Sequence, residues 1–319
     1  KKGGNAFDAA VAVSSSLAVV EPFSSGIGGG GFYLLHVAKD DQDVFLDARE
    51  TAPLETSPSQ YVKDGKVIGN LSIQGAMAAA IPGIPAALDL ISRDYGRLSL
   101  TETMSSSIKL AKNGFAVDNR YRKLTKYRID RLRQDVETAG IFLENNDVPP
   151  EGWLLRQEKL GATLALISRN GANEFYKGKI AERLVDAVRK AGGVWTSSDL
   201  KDYLVIKREP ISFYFRGAKI TTAPLPSSGG LVMAQVLQII DGLDLGKLDE
   251  VDLAHVLVEA MKRGYSDRAI YMGDSDFIEV PVKKLSSVEY ANKRREEISL
   301  SRATSSKDLS KLHSFSEES

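Results

Sequence analysis

The sequence predicts an α+β fold from two observations. Segments with helical periodicity and capping residues recur between residues 5 and 268, and short strand-like segments occur near residues 32–46 and 203–222. A chain of 319 residues is long enough for one large domain or two ordinary ones. Its 42 basic and 42 acidic residues balance, which is typical of a soluble globular protein and gives no indication of a nucleic-acid or membrane-surface partner.

The absence of cysteine limits the chemistry that this chain supports. It excludes disulfides, thiolate nucleophiles and cysteine-ligated metals. The three histidines, His36, His255 and His313, are far apart in sequence, so neither a transition-metal centre nor a histidine-dependent triad is expected. The longest apolar run, residues 9–20, is interrupted by three serines, so no membrane span is expected either.

The N-terminal segment predicts a closely packed helix followed by a hairpin. Residues 1–4 resemble the last turn and glycine cap of a helix, so we expect further residues upstream. Asn5 is the predicted N-cap of the next helix, and small and apolar residues continue from it to Val20. Residues 32–37 and 44–46 then predict two antiparallel strands.

The rest of the chain predicts a helical middle and a mixed C-terminal part. Residues 76–91 predict a loop that enters a helix. Further helices are predicted at residues 101–113, 116–135, 157–170, 178–191, 230–240 and 251–268, and strands at residues 203–205, 211–215 and 219–222. The basic residues 293–295 predict a solvated face, and the polar composition beyond Ile298 predicts a mobile tail.

The glycine run at residues 26–31 fits the spacing of a nucleotide-binding loop but not its context. A dinucleotide fingerprint needs a strand before the glycines and a helix after them, whereas here a predicted helix precedes and a predicted strand follows. This order argues against a nucleotide site, although Asp47 lies near the spacing of a ribose-binding acid. Consecutive glycines instead predict a backbone that passes close to another chain segment or a ligand.

Arg49 is the candidate ligand-binding residue that the sequence singles out. It stands at the end of a predicted strand, between Asp47 and Glu50. Its guanidinium offers two parallel donors that match a carboxylate. The alternative is a structural ion pair between Arg49 and one of the two acids, and the spacing alone favours that ion pair.

A second candidate is the Ser- and Gly-rich loop at residues 227–230. Because the loop opens a predicted helix, its backbone N–H groups are able to bind an anion. An N-cap with a tight turn explains the same residues and is favoured when the loop is considered alone. His255, in the middle of a predicted helix, is interpreted as a packing residue.

A series of long motifs runs along the chain in a fixed order. The motifs are KGGNAFDAAVAVSSSLAVVEPFSSGIGGGGF, DARETAP, IPGIPAALDLI, GFAVDNR, NEFYKGKIAERL, GGVWTSSDL, APLPSSGG and YSDRAIYMGD. Together they resemble the large subunit of the γ-glutamyltransferase family, whose relatives include capsule depolymerases and cephalosporin acylases. Two departures are Leu225, where the family usually carries proline, and residues 118–152, where little aligns.

The resemblance implies a four-layer αββα sandwich of the N-terminal-nucleophile hydrolase type. In that family a precursor cuts itself, and the newly exposed N-terminal Thr of the small subunit is the nucleophile, with its own α-amine as the base. Residues 1–298 would be the large-subunit part of one domain that the small subunit completes, and residues 299–319 a flexible polar tail. The resemblance places the cut after Ser319, so this chain alone would be inactive.

The resemblance also implies roles for the candidate site residues. Arg49 would bind the α-carboxylate of a γ-glutamyl group, Glu50 would orient Arg49 or contact the substrate, and Asp47 would support the pocket. The residues expected to line or support the cavity are Gly28, Gly29, Gly30, Gly31, Ser227, Ser228, Gly229 and Gly230. No metal or cofactor is expected, because a Thr hydroxyl that an adjacent amine activates needs neither.

The function that the resemblance implies is γ-glutamyl transfer or hydrolysis on glutathione and similar amides, with water or an amino acid as acceptor. Family members are usually exported, which predicts a periplasmic or extracellular location, and a cysteine-free chain is compatible with it. The sequence leaves open an enzyme of the same fold that acts on poly-γ-glutamate or a glutaryl β-lactam. It also leaves open a solute-binding protein that holds an amino acid through Arg49 and the glycine run.

Overall fold

The computed structural model describes residues 3–309, and within them the chain divides into two compact units. Unit 1 consists of residues 3–32 and 47–206, and unit 2 consists of residues 33–46 and 207–309. The helices are α1 (Ala6–Val20), α2 (Ile84–Asp94), α3 (Leu100–Thr103), α4 (Ser105–Asn113), α5 (Asn119–Leu132), α6 (Val136–Phe142), α7 (Glu158–Asn170), α8 (Asn173–Lys177), α9 (Lys179–Lys190), α10 (Ser197–Lys201), α11 (Ser228–Asp241), α12 (Glu250–Tyr271), α13 (Val282–Leu285) and α14 (Val288–Glu296).

The strands are short and form small sheets. They are β1 (Gly31–Val37), β2 (Gln42–Ala48), β3 (Val62–Lys63), β4 (Lys66–Val67), β5 (Phe115–Ala116), β6 (Leu154–Leu155), β7 (Ile206–Arg208), β8 (Ile211–Phe215) and β9 (Ala218–Thr222). One sheet has the order β1-β2-β7, and the predicted strands β8 and β9 pair antiparallel with Ile211 opposite Thr222. This combination confirms the mixed helix and strand content that the sequence predicts.

Helix α1 begins where the sequence predicts, because Asn5 and Asp8 cap it. The Asn5 side chain accepts the N–H groups of Phe7 and Asp8 at 3.0 Å, and the Asp8 carboxylate accepts the N–H of Asn5 at 2.7 Å. Asp8 is buried and also accepts the N–H groups of Arg97 and Leu98, which joins the start of α1 to the segment after α2. Small side chains along α1 allow α2 and α4 to pack against it.

Most predicted helices of unit 1 are confirmed, with shifted ends. Helices α7 and α9 lie where predicted, whereas the helix predicted at residues 101–113 is divided at Met104 into α3 and α4. The strand predicted at residues 203–205 is wrong, because this segment follows α10 and strand β7 begins only at Ile206. Tyr203 is buried, so an aromatic residue that favours a strand contributes to packing instead.

Each unit has its own hydrophobic core. Fully buried side chains of unit 1 include Leu88, Ile91, Met104, Leu155, Leu164 and Ile167. In unit 2, α11 packs against α12, α14 and β8, and its buried residues include Leu231, Ala234 and Ile239. Burial of one large aliphatic side chain contributes about 1.5–3 kcal/mol, so these contacts fix the position of α11. Among the described residues, no helix combines the length and the apolar character needed to cross a membrane.

Unit 2 also buries several charged side chains, and these form pairs. Arg263 is fully buried, and its guanidinium donates to the carboxylate of Glu259 at 2.7 Å. Arg294 donates to one oxygen of Asp267 at 2.9 Å, and the Gln235 side chain donates to the other at 2.7 Å. Removal of one member of such a buried pair costs about 3–5 kcal/mol, because the other charge is left uncompensated.

The burial of Arg294 shows that one prediction was wrong. The basic residues 293–295 were expected to form a solvated face, but the Arg294 side chain is only 5% exposed whereas that of Lys293 is 71% exposed. The helical repeat is the reason, since Arg294 lies three residues after the buried Ala291 and therefore on the inner face of α14. A run of basic residues on a helix need not share one environment.

Acid pH is expected to lower the free energy of unfolding, because the buried carboxylate of Glu259 in unit 2 becomes protonated. Burial alone would raise the pKa of this carboxyl group, but hydrogen bonds from Lys262, Thr304 and Arg263 outweigh burial and lower the pKa from 4.5 to about 2. A lowered pKa means that the ionised group contributes its full stability above about pH 4.5, and that this contribution is lost as the pH falls towards about 2. Urea unfolding of the full-length protein should therefore show a free energy of unfolding that decreases over this interval.

The matched variant for this prediction is Glu259→Gln. At neutral pH we expect it to lower the free energy of unfolding by about 3 kcal/mol, because Arg263 loses its buried partner. Between about pH 4.5 and about pH 2 the variant should lose less stability than the wild type, since it has no group to titrate at this position. If the free energy of unfolding decreased equally with pH in both proteins across that interval, the result would contradict the lowered pKa of Glu259.

Candidate substrate-binding site

Arg49 and Glu50 extend from the end of β2 as exposed side chains. Asp47, two residues before Arg49 on the same strand, is buried, and its carboxylate accepts the backbone N–H of Arg49 at 3.0 Å. The Arg49 guanidinium lies over the ring of Phe32, 5.9 Å from its centroid. Within the described residues the guanidinium forms no ion pair with Asp47 or Glu50, so the structural ion pair that the spacing favours is not present.

The glycine run lies against the backbone of this strand end. A Cβ atom on Gly30 would be 2.6 Å from the Ala48 carbonyl oxygen and 2.7 Å from a carboxylate oxygen of Glu50. The close approach that consecutive glycines predict is therefore confirmed at Gly30. The carbonyl oxygen of Gly29 accepts the N–H of Gly83 at 2.9 Å, which ties the run to the start of α2. As the sequence predicts, a helix precedes the run and a strand follows it, the reverse of a dinucleotide-binding loop.

Two tyrosines support the backbone of Arg49 from the other side. The Tyr203 hydroxyl donates to the Arg49 carbonyl oxygen at 2.9 Å, and its ring stacks on Tyr176 with centroids 5.4 Å apart and planes at 7°. The Tyr176 hydroxyl donates to the carbonyl oxygen of Pro82 at 2.7 Å. Burial, together with the negative charges of Asp47 and Glu50, raises the pKa of Tyr203 well above its usual range, so Tyr203 remains a hydrogen-bond donor.

Replacement of Tyr203 with phenylalanine measures the contribution of the hydroxyl hydrogen bond to stability apart from that of the stacked ring. The variant keeps the ring against Tyr176 but loses the bond to Arg49, so we expect the free energy of unfolding to fall by about 1 kcal/mol. Thermal and urea unfolding measure this effect. Tyr214→Phe is the matched control, because its side chain is 67% exposed, and it should leave stability unchanged. Equal stability of Tyr203→Phe and the wild type would contradict a supporting role for this hydroxyl.

A cavity of about 670 Å³ opens beside Arg49 within unit 1. Arg49 and Glu50 are the charged residues of its described lining. Apolar side chains from α7, α8 and α9 and the segment after α9 form much of the remainder, among them Leu160, Phe175, Ile180, Leu184, Val188 and Trp195. A concave apolar surface with a few charged groups at one end is typical of a small-molecule site. The arrangement suits a ligand that has a carboxylate, an amine and an uncharged portion.

The structure brings only part of the predicted site residues into this cavity. Arg49, Glu50 and Gly28 line it, whereas Gly30 lies behind it and makes room for the Glu50 carboxylate. Their roles in substrate binding stay predictions. The predicted cleavage site, Ser319, is outside the described residues.

The Ser- and Gly-rich loop at residues 227–230 belongs to unit 2. Ser227 is the N-cap of α11, and a Cβ on Gly230 would be 2.0 Å from a backbone oxygen of the preceding loop. The N-cap with a tight turn is therefore confirmed. The Ser228 hydroxyl accepts a hydrogen bond from the Arg268 guanidinium at 2.8 Å, and Ser228 and Gly229 line a cavity of about 440 Å³ between α11 and α12.

The sequence did not predict the residues that hold the backbone around Arg49 in place. Tyr176, Tyr203 and Gly83 are distant from Arg49 in sequence, and no spacing rule connects them. The available signals were indirect: Gly83 lies between prolines in the motif IPGIPAALDLI, and Tyr176 lies in the motif NEFYKGKIAERL. Residues 3–309 contain no group of three His, Cys, Asp or Glu side chains arranged to hold a metal ion.

One protein family matches this chain along almost its entire length. The family model described as gamma-glutamyltranspeptidase matches residues 1–318. The chain belongs to the γ-glutamyltranspeptidase family. The glutathione hydrolase proenzyme of Pseudomonas sp. (strain A14) is 36% identical over 313 residues, which cover 97% of this chain and 54% of that relative. The family predicted from the sequence is thereby confirmed.

Solved structures of γ-glutamyltranspeptidases and acylases resemble the chain in fold. The γ-glutamyltranspeptidase of Helicobacter pylori has a TM-score of 0.93 at 38% identity, and the match covers 96% of this chain and 88% of that chain. A cephalosporin acylase from Bacillus halodurans has a TM-score of 0.85 at 30% identity, and the match covers 93% of this chain and 56% of that chain. The chain spans about half the length of the curated relatives that it matches.

Proposed function

We propose that this chain is the large-subunit part of an enzyme that transfers or hydrolyses γ-glutamyl groups of glutathione and similar amides. The observation that carries the proposal is the placement of Arg49, an exposed guanidinium in a largely apolar cavity. Asp47, Gly30 and Tyr203 hold its backbone. Two parallel N–H groups of a fixed guanidinium match the α-carboxylate of a glutamyl group. The name glutathione hydrolase, which several relatives carry, supports this substrate class.

The proposed reaction is acyl transfer through a covalent intermediate. The hydroxyl of an N-terminal Thr on a second subunit attacks the γ-amide carbon, and the α-amine of that Thr accepts the hydroxyl proton. The amine of the substrate leaves with this proton, and an ester of the glutamyl group remains on the Thr. Water or an amino acid then attacks the ester, which releases glutamate or a new γ-glutamyl amide. Arg49 binds the same carboxylate throughout and therefore positions the donor.

The proposal includes the assembly that supplies this nucleophile. Self-cleavage after Ser319 would yield the second subunit, and the two pieces would form a four-layer αββα sandwich with residues 1–298 in the shared domain. Residues 299–319 would lead to the cleavage site. The term proenzyme in the names of the relatives supports processing of a precursor. An exported, periplasmic or extracellular location is part of the same proposal.

A same-fold acylase is the second candidate. The apolar lining of the cavity and the structural likeness to a cephalosporin acylase favour a donor with a glutaryl group on a β-lactam amine. Glutaryl lacks the α-amine of glutamyl but keeps a carboxylate that Arg49 would bind. A depolymerase of poly-γ-glutamate is the corresponding alternative for a polymeric donor, and the Bacillus anthracis transpeptidase CapD is among the solved structures that this chain resembles.

The test is incubation of the full-length gene product, followed over hours by intact mass, N-terminal sequencing and release of aniline from a γ-glutamyl anilide. A cut after Ser319 that exposes Thr, with activity that rises in step, is expected. A stable, uncut protein without turnover would contradict the proposal and favour an amino-acid-binding protein. Comparison of γ-glutamyl anilide, poly-γ-glutamate and glutaryl-cephalosporin as donors then separates the three enzymes, and we expect the anilide to react fastest.

A further inference from the structure

Helix α9 presents an apolar stripe to the cavity that opens beside Arg49. Ile180, Leu184 and Val188 line this cavity, and because they recur every four residues they lie on one face of the helix. Val185, on the adjoining face, is buried in the core, whereas the three residues of the stripe are only half-buried. The described part of the chain therefore leaves apolar surface of α9 in contact with the cavity.

Two polar side chains of the same lining are bonded within the protein. The indole N–H of Trp195 donates to the carbonyl oxygen of Ala79 at 2.9 Å, and the Thr163 hydroxyl donates to the carbonyl oxygen of Lys159 at 3.1 Å. Because these polar groups already have partners, this part of the lining offers a ligand mainly apolar contacts. The name α9 wall is used for Leu160, Phe175, Ile180, Leu184, Val188 and Trp195.

The cavity is larger than a γ-glutamyl group requires. Its volume of about 670 Å³ is that of a site for a drug-sized ligand. Three C–C bonds of about 1.5 Å join the α-carbon of a glutamyl group to its γ-amide carbon, so these two atoms are at most about 4.6 Å apart. With the α-carboxylate on Arg49, as in the proposed function, the remaining space is reached by the amine portion of the substrate.

We propose that the α9 wall binds the amine portion of the substrate and makes the enzyme selective for γ-glutamyl amides of apolar, uncharged amines. The proposal rests on the proposed function, because Arg49 must hold the glutamyl end. An alkyl or aryl group against the half-buried stripe of α9 removes apolar surface of both partners from water. An amine portion that carries a carboxylate finds no cation besides Arg49 in the described lining, so its burial there is unfavourable.

The same wall selects the acceptor in the transfer reaction. When the donor reacts, the amide C–N bond breaks and the amine leaves with the proton from the Thr hydroxyl. When an amine accepts the glutamyl group, it attacks the ester carbon, a C–N bond forms, the C–O bond to the Thr breaks, and the proton returns to the Thr oxygen. The second step is the reverse of the first, so the leaving and the incoming amine occupy the same position against the α9 wall.

The first experiment compares three donors with the processed full-length enzyme: γ-glutamyl methylamide, γ-glutamyl butylamide and γ-glutamylnorvaline. The two alkylamides release amines of nearly equal basicity, so their kcat/KM values report contacts of the alkyl chain. Each additional methylene against the wall should raise kcat/KM about threefold, so the butylamide should exceed the methylamide about 30-fold. Norvaline is butylamine with an added carboxylate, and its γ-glutamyl derivative should react at least about fivefold more slowly than the butylamide.

The variant that tests the wall itself is Leu184→Asn. It replaces apolar surface with an amide that must lose water when an alkyl chain binds, so kcat/KM for the butylamide should fall about tenfold. For the methylamide, whose amine portion is short, the fall should be about twofold. The matched control is Leu124→Asn, since Leu124 is also half-buried, is the sixth residue of α5 as Leu184 is of α9, and lines a separate cavity of about 160 Å³ in unit 1. It should leave the ratio of the two kcat/KM values unchanged.

Partition of the acyl-enzyme between water and added amines is a second measurement that needs no variant. Butylamine should capture the glutamyl group of the wild type about 30-fold better than methylamine at equal concentrations of free amine, because both amines bind where the leaving amine was bound. In Leu184→Asn this preference should fall by the same factor as the preference between the two donors.

The outcomes separate this inference from the function on which it rests. Equal kcat/KM values for the methylamide, the butylamide and the norvaline derivative would overturn binding at the α9 wall and leave the proposed function intact. An equal change of the donor ratio in Leu184→Asn and Leu124→Asn would also overturn it, since the effect would then be a general loss of stability. A processed enzyme that turns over none of the γ-glutamyl amides would remove the proposed function, and the role of the wall with it.

Discussion

Replacement of Arg49 with alanine is expected to raise the KM for a γ-glutamyl anilide about 100-fold. In the proposed role of Arg49, the variant loses two charge-assisted hydrogen bonds to the α-carboxylate, together about 3 kcal/mol, and each 1.4 kcal/mol corresponds to about tenfold in affinity. Because Arg49 is proposed to bind that carboxylate equally in the substrate and in the transition state, kcat should change by less than about fivefold. Steady-state kinetics of the processed enzyme measure both constants. Arg49→Lys should recover only part of the affinity, since an ammonium lacks the parallel donors of a guanidinium.

The matched control for this prediction is Arg128→Ala. Arg128 is also exposed in unit 1 and also lies over an aromatic ring, with its guanidinium 5.0 Å from the centroid of Tyr127. It is not part of the lining of the cavity that contains Arg49. Its replacement should leave KM unchanged. An unchanged KM in Arg49→Ala, or an equal rise in both variants, would remove Arg49 from the substrate-binding site.

Replacement of Gly83 with alanine is expected to lower the free energy of unfolding by about 3 kcal/mol. A Cβ atom at this position would be 2.0 Å from the Ala48 carbonyl oxygen and 2.2 Å from the Tyr203 hydroxyl oxygen. The φ angle of Gly83 is −112°, which any residue adopts, so the cost is a collision and not backbone strain. Because Ala48 directly precedes Arg49, the displacement should also raise KM by about tenfold. Urea unfolding and steady-state kinetics measure the two effects.

Gly140→Ala is the control for this collision. Nothing lies within 4 Å of a Cβ at Gly140, which is inside α6. Alanine should be neutral there or stabilise the protein by about 0.5–1 kcal/mol, because it reduces the freedom of the unfolded chain. Similar stabilities of Gly83→Ala and Gly140→Ala would show that the contact between Gly83 and the end of β2 is not tight.

Local signals predicted several helices and strands of both units. The cap at Asn5, the strands on either side of the turn before Asp47, and the hairpin β8–β9 all follow from residue patterns within a few positions. Arg49 was singled out for the same reason, as a guanidinium at a strand end. The long series of motifs predicted the family, which the comparison with known proteins confirms.

Contacts between segments that are far apart in the chain could not be predicted from the sequence. Tyr203 was predicted as a strand residue, because the sequence shows an aromatic residue that favours strands. The sequence does not show that its ring stacks on Tyr176. Arg294 was predicted to be solvated, because the run of charge is visible and the buried Asp267 on another helix is not. The glycine run predicted a close approach of the backbone in general, but only the fold shows that Gly30, Gly83 and Gly230 are among the positions where a Cβ atom would collide. Each of these features depends on which segments become neighbours.

The exposure of the Arg49 guanidinium has a consequence for how ligand binding depends on ionic strength. Asp47 accepts the backbone N–H of Arg49 at 3.0 Å, while the Arg49 side chain is exposed beside the cavity. The same exposed cation attracts chloride, acetate and free glutamate. Apparent affinity for the donor should therefore decrease as ionic strength rises, and small carboxylic acids should act as competitors of the substrate.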